Sequence, residues 1–158
     1  MTKVLLSLHV LAAIIAVGPV TVAASMFPAT LRRALGADHS DGDARTTLRT
    51  LHRICRVYAG VGIAVPLFGL ATAGSLGVLG DTWLILSILL TATAAGVLAL
   101  LILPAQDRAL TAAAGPVAPS PAPSPPPGRL AMLTGVFNLL WATVTVLMII
   151  RPGSTTGV

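Results

Sequence analysis

Residues 4–27, 57–79, 83–103 and 130–150 form four runs without one Asp, Glu, Lys or Arg. A helix rises about 1.5 Å per residue and the hydrocarbon core of a bilayer is about 30 Å thick, so roughly 20 apolar residues make one crossing. Four crossings leave little of a 158-residue chain for anything else. The expected fold is therefore all-α: a polytopic membrane protein, one four-transmembrane-helix bundle over 1–158. Its helices are expected at about 4–27, 44–79, 83–103 and 130–150. Composition agrees. Charged residues make up 9% of the chain, against about 25% in a soluble domain, so lipid must be the solvent for much of the surface.

The few charges are placed unevenly. The first connection carries Arg32, Arg33, Arg45, Arg49, Arg53 and Arg56, and the third adds Arg108 and Arg129. The other end holds only Lys3 and Arg151. Positively charged loops stay cytoplasmic, which predicts both termini outside. Residues 1–25 also carry a signal-peptide pattern, with Lys3, an apolar run and Val22-Ala23-Ala24. Cleavage there would leave six arginines on the outer side, so the run is read as a retained span. The net charge of +5 points to anionic lipid headgroups, not nucleic acid, because the arginines flank apolar spans. Glu is absent, nine of ten basic residues are Arg, and Ala, Gly and Pro abound. That usage fits a GC-rich bacterial genome and a multi-pass protein of a bacterial plasma membrane.

Local signals divide the chain further. Gly18-Pro19 should bend the first helix and Pro28 should end it. Asp38-His39-Ser40-Asp41-Gly42-Asp43 reads as a polar turn, without the ligand alternation of a calcium loop. Asp43 is expected to cap a helix from Ala44. On that helix Arg49, Arg53 and Arg56 share one face, as a lipid-headgroup stripe or a solvated topogenic face. Gly62, Pro66, Gly69, Ala73 and Gly77 form a small-residue stripe on the second span. Ser87, Thr91, Ala95 and Ala99 do so on the third, and Gly135, Asn138, Ala142 and Thr145 on the fourth. Small residues let helices approach where lipid gives no drive to associate. These stripes are expected to face one another, with Gly62, Gly69 and Asn138 as packing residues. A short turn at Asp81, followed by an interfacial Trp83, makes the second and third helices antiparallel neighbours. The third helix is expected to run past Pro104 as 105–114. Residues 115–128 hold seven prolines in 14 positions and form a polyproline-type cytoplasmic linker, up to about 43 Å long.

No carboxylate lies within a span, which disfavours ion-coupled transport. The chain has one cysteine, Cys55, which excludes an internal disulfide and a cysteine cage. His9 is the intramembrane exception. It lies roughly 7–8 Å inside the outer boundary by helical rise, placed to bind a cofactor or to bond a neighbouring carbonyl. His52 belongs to the other leaflet, roughly 20 Å or more away, so the pair cannot serve one haem. His39 reads as solvated. Asn138 wants an interhelical partner, and Trp141 reads as packing.

The opening Leu8-His9-Val10-Leu11-Ala12-Ala13, Gly18-Pro19, the Arg53–Tyr58 entry, Pro66 and the Trp83-led third helix resemble a bacterial family of predicted integral membrane proteins of unknown function. That family is similar to a wider group that includes copper-resistance protein D and the haem-dependent protoporphyrinogen oxidase membrane protein. The resemblance implies a haem-linked or metal-linked role for His9. Soft ligands select copper, whereas here Met26, Met132 and Met148 are scattered.

Three functions are then expected in order. The first is a non-catalytic accessory or assembly protein, with a membrane protein or a second copy as partner. The second is a haem-binding redox protein using His9. The third is a small-solute transporter with a path along Ser87, Thr91, Asn138 and Thr145.

Overall fold

The computed structural model describes residues 1–36, 42–113 and 126–153. The elements are α1 (Thr2–Gly36), α2 (Gly42–Val61), α3 (Ala64–Leu76), α4 (Thr82–Gly96), a π-helical segment (Val97–Ile102), α5 (Leu103–Ala113) and α6 (Pro127–Ile150). No strand occurs among the described residues. The protein is an all-α four-helix bundle. Its four helical spans, Thr2–Gly36, Gly42–Leu76, Thr82–Ala113 and Pro127–Ile150, are each long and apolar enough to cross a membrane. The polar turn with His39 and most of the proline linker lie outside the described residues.

The first helix does not end at Pro28. It continues to Gly36 with both Pro19 and Pro28 inside. A proline lacks an amide proton and leaves the carbonyl four residues earlier without its helical partner. For Pro28 that carbonyl belongs to Ala24, and the Thr134 hydroxyl of α6 donates to it at 3.4 Å. Neighbouring helices can thus supply what a proline removes.

The second predicted helix is two. The chain breaks at Gly62-Ile63, where the Ile63 and Val65 amides bond three residues back, to Gly60 and Gly62, instead of four. Pro66 explains the break, since it has no amide to offer the Gly62 carbonyl. Asp43 falls within the first turn of α2 and does not cap it. Gly77, at φ 72°, closes α3 in a left-handed conformation that suits glycine. Beyond it lies the short turn to α4. The third helix runs through Pro104 as expected, by way of the π-helical segment just before it.

Three of the spans are much longer than the hydrocarbon core of a bilayer is thick. At about 1.5 Å per residue, a span of 35 residues is roughly 50 Å long, against about 30 Å of hydrocarbon. The excess of α1, the start of α2 and all of α5 but Leu103 lie beyond the charge-free runs, at the arginine-bearing end. With the adjoining ends of the charge-free runs they form a head whose core includes Phe27, Leu31, Leu48, Cys55, Ala109 and Leu130. A second cluster, around Val20, Ala94, Ile102 and Phe137, continues the packing. The opposite end holds only Ala73, Trp83 and Leu84 as buried residues of a small third cluster.

Helices α2 and α5 pack together as the short turn predicts, but α3 leans on α1 and α4 on α6. Ala73 of α3 meets Trp83 and Leu84 near the connecting turn. Trp83 is tied there twice. Its indole N–H donates to Asp81 Oδ2 at 2.9 Å, and the Arg151 guanidinium sits 5.4 Å from the ring centroid.

The small-residue stripes do not all face inward. Ser87 and Ala73 are buried and Gly69 is packed against a neighbour. Gly135, Ala142 and Thr145 on α6, and Ala95 and Ala99 on the third span, are exposed. The inward face of α6 is instead Leu130, Thr134, Phe137 and Val144. On α6 the larger side chains bury more surface and take the inward face, whereas α1, the third span and α5 bury alanines such as Ala24, Ala94 and Ala109.

Candidate functional site

His9 sits between α1 and α3. Its Nδ1 lies 2.9 Å from the Val65 carbonyl oxygen. A carbonyl only accepts, so Nδ1 carries the proton and donates, and in the neutral ring Nε2 keeps its lone pair. The ring fits because position 69 is glycine. A Cβ there would come within 2.9 Å of His9 Cε1 and 3.1 Å of Nδ1. Gly69 is therefore a packing residue as expected, and its partner is the imidazole. Gly62 meets only its own helix, with the Ala59 and Tyr58 carbonyl oxygens 3.2 and 3.3 Å from a notional Cβ. Its place is the α2–α3 break.

A second polar cluster joins α2 to α5 at the arginine-bearing end. His52 Nδ1 lies 3.1 Å from Gln106 Oε1, and its Nε2 lies 3.6 Å from Asp107 Oδ1. The Gln106 amide nitrogen donates to Cys55 Sγ at 3.7 Å. Gln106 and Cys55 are fully buried and Asp107 is exposed. Acceptors thus face both ring nitrogens of His52. Sequence reasoning placed His52 at this mouth but found neither partner. Gln106 is the only glutamine in the chain, which is a signal of sorts. Its pairing with a residue 54 positions away has no local signature.

Asn138 finds the interhelical partner expected of it. Its Nδ2 donates to Ser25 Oγ of α1 at 3.2 Å, while Asn138 Oδ1 and Trp141 Nε1, one turn apart, are buried without a partner. Most other hydroxyls turn back on their own helices. Ser87, Thr93, Thr143 and Thr145 each donate to the carbonyl four residues earlier, at 2.8–2.9 Å. Ser87 is buried and Thr145 faces outward, so the residues of the expected transport path do not share one interior surface.

Arg49, Arg53 and Arg56 are exposed together on α2, as their spacing predicts. Arg45 extends the stripe toward the tip. Arg45 and Arg49 flank a crevice of about 10 Å³ between α2 and α5, with Leu48, Leu110 and Ala113 as its walls. No arginine has a carboxylate within 4 Å among the described residues, where the one ionic contact is that of His52 with Asp107.

Chemically, His9 offers one nitrogen ligand, with its other nitrogen held by a carbonyl, as metal-bound histidines commonly are. No group of three His, Cys, Asp or Glu side chains that could hold a metal ion occurs among the described residues. His52 lies 13 positions before Val65, roughly 20 Å along the span, in keeping with the separation read from sequence. Comparison with known proteins found no matching family model, curated protein or solved structure.

Proposed function

We propose that this chain is a multi-pass protein of a bacterial plasma membrane, with both termini outside, and acts as a non-catalytic accessory or assembly partner. One observation carries the reading. Most of the polar side chains seen in the spans are engaged within the chain, as back-bonded hydroxyls or as helix-to-helix ties from His9, Thr134 and Asn138, with Asn138 Oδ1 and Trp141 Nε1 the buried exceptions. Such groups hold helices together and leave the broad apolar outer surface as the face on offer. Leu139 and Ile149 are among its most exposed side chains.

Photo-crosslinking from Leu139 and Ile149 in living cells tests this. A discrete protein adduct from one of these positions is expected, with a membrane protein or a second copy. Lipid adducts alone from both positions would overturn the reading.

A second reading is favoured by the His9 tautomer. The Val65 carbonyl fixes the Nδ1 proton and leaves Nε2 as the nitrogen that would ligate a haem iron. Haem would supply redox chemistry, and His9 would hold it through Nε2. The absorption spectrum of protein purified from haem-sufficient cells, beside His9→Ala, decides it. A stoichiometric Soret band lost in the variant supports haem binding, and a colourless wild type overturns it.

A further inference from the structure

Away from the arginine-bearing end, the described residues carry three charged side chains, those of Lys3, Asp81 and Arg151. Two of them stand at the edge of the hydrocarbon. Asp81 sits just before the charge-free run that begins at residue 83, and Arg151 directly follows the run that ends at residue 150. Both converge on Trp83. The indole N–H donates to Asp81 Oδ2 at 2.9 Å, and the Arg151 guanidinium carbon lies 5.4 Å from the ring centroid. Arg151 reaches the ring from a left-handed turn, at φ 45°, the one described non-glycine residue with such a backbone.

These opposite charges share a ring and do not meet. Asp81 and Arg151 stay more than 4 Å apart, and neither has another ionic partner among the described residues. Residues 154–158 add no ionisable side chain. Each group keeps bonding capacity. A carboxylate offers about four acceptor positions, of which the indole takes one. A guanidinium over an aromatic face keeps its N–H donors in its own plane. Asp81 and Arg151 are part-exposed, while Trp83 is buried between helices and acts as a fixed spacer.

This pair suits a molecule that carries an anion and a cationic N–H donor a short link apart, at headgroup depth. Phosphatidylethanolamine has both, with a phosphate for Arg151 and a primary ammonium for Asp81, joined by an ethylene link. Phosphatidylglycerol would bring its phosphate toward Asp81 with no cation to answer it. The ammonium of phosphatidylcholine has no N–H to give a carboxylate. Ile149 and Ile150, next to Arg151, are exposed and offer acyl chains an apolar surface, which a soluble phosphate would not use.

We propose that Asp81 and Arg151, spaced by Trp83, form a headgroup site for phosphatidylethanolamine in the leaflet at this end of the bundle. The site goes beyond the accessory reading and does not depend on a protein partner.

The test titrates the full chain in a mild neutral detergent with phosphatidylethanolamine, phosphatidylcholine and phosphatidylglycerol of identical acyl chains, and counts bound lipid by native mass spectrometry. One ethanolamine lipid should be retained at least about fivefold more tightly than the other two, as charge-assisted hydrogen bonds at both of its charges imply. Asp81→Asn, which keeps an acceptor for the indole, should bring the ethanolamine and choline lipids within about twofold of each other. Arg151→Gln should weaken the ethanolamine lipid by at least about fivefold, because the planar donor fork for its phosphate is lost. Lys3→Gln, an exposed base at the same end, should change it by less than about twofold, since exposed charges act weakly through solvent. Equal retention of the three lipids, a preference for phosphatidylglycerol, or an ethanolamine preference that survives Asp81→Asn would overturn the proposal. Displacement of the lipid by an equal concentration of soluble glycerophosphoethanolamine would do the same, by making the ligand a soluble one. The preference is a ratio read within each variant, so a drop in yield does not mask it.

Discussion

The hydroxyl of Thr134 donates to the carbonyl of Ala24, the carbonyl that Pro28 leaves without an amide. This bond links α6 to α1 across 110 positions. Thr134→Val, which keeps the shape and removes the donor, should destabilise the protein by about 0.6–1.7 kcal/mol, the span measured for interhelical bonds in membranes. In a Pro28→Ala background the amide returns and the same substitution should cost less. Reversible unfolding in detergent, read as a double-mutant cycle, measures the difference. Equal costs in both backgrounds would disprove the link.

Gly69 and His9 form a matched pair. Gly69→Ala places a methyl against a ring held by the Val65 carbonyl, an overpacking that typically costs about 1–3 kcal/mol. In a His9→Ala background the obstruction is gone. Alanine's helix propensity should then make Gly69→Ala stabilising, by up to about 1 kcal/mol. The reversal of sign in thermal unfolding is the result to look for.

Gly135 should behave differently. It is exposed and nothing lies within 4 Å of a notional Cβ. Gly135→Leu should leave yield and stability near wild type, while Gly69→Leu should abolish the folded monodisperse species. Size-exclusion profiles in mild detergent distinguish the two outcomes.

Gln106 is buried between His52 and Cys55. Gln106→Leu should destabilise the head by about 1–3 kcal/mol, because the His52 donor loses its partner inside the protein. Chemical denaturation of the detergent-solubilised chain measures it. A change below about 0.5 kcal/mol would mean that His52 finds water instead.

Sidedness is open to labelling. Cys55, the one native cysteine, is fully buried and should stay unreacted in the folded protein. Thr2→Cys should react with a membrane-impermeant maleimide in intact cells, and Arg49→Cys only after permeabilisation. The reverse pattern would invert the topology.

The spans were legible in the sequence because the bilayer imposes a length and a hydropathy on any segment that crosses it. The exposed arginine face was legible because α2 has a regular period. The passage of α1 through Pro28 was not, since the partner that makes it tolerable is Thr134, far along the chain. The break at Gly62-Ile63 was only half legible. Pro66 announced a distortion, but the place where the bonds shorten lies three to four residues upstream. The orientation of α6 was misread because its small residues were taken to face inward. Phe137 and Val144 hold that position by burying more surface. Gln106 went unnoticed because a lone amide near a proline carries no periodic mark.

The uneven distribution of buried side chains has a mechanical consequence. The bundle is clamped at the arginine-bearing end, and its far end divides into α1 with α3 and α4 with α6, bridged at the Ala73–Trp83 contact. Membranes differ in thickness by several ångströms, and helices adapt by tilting. With fewer buried side chains between them, the two arms would be the part of this fold to tilt. A thinner or thicker bilayer would then be met first at the end where Ala73, Trp83 and Leu84 pack, not at the end where Leu48, Cys55 and Ala109 do.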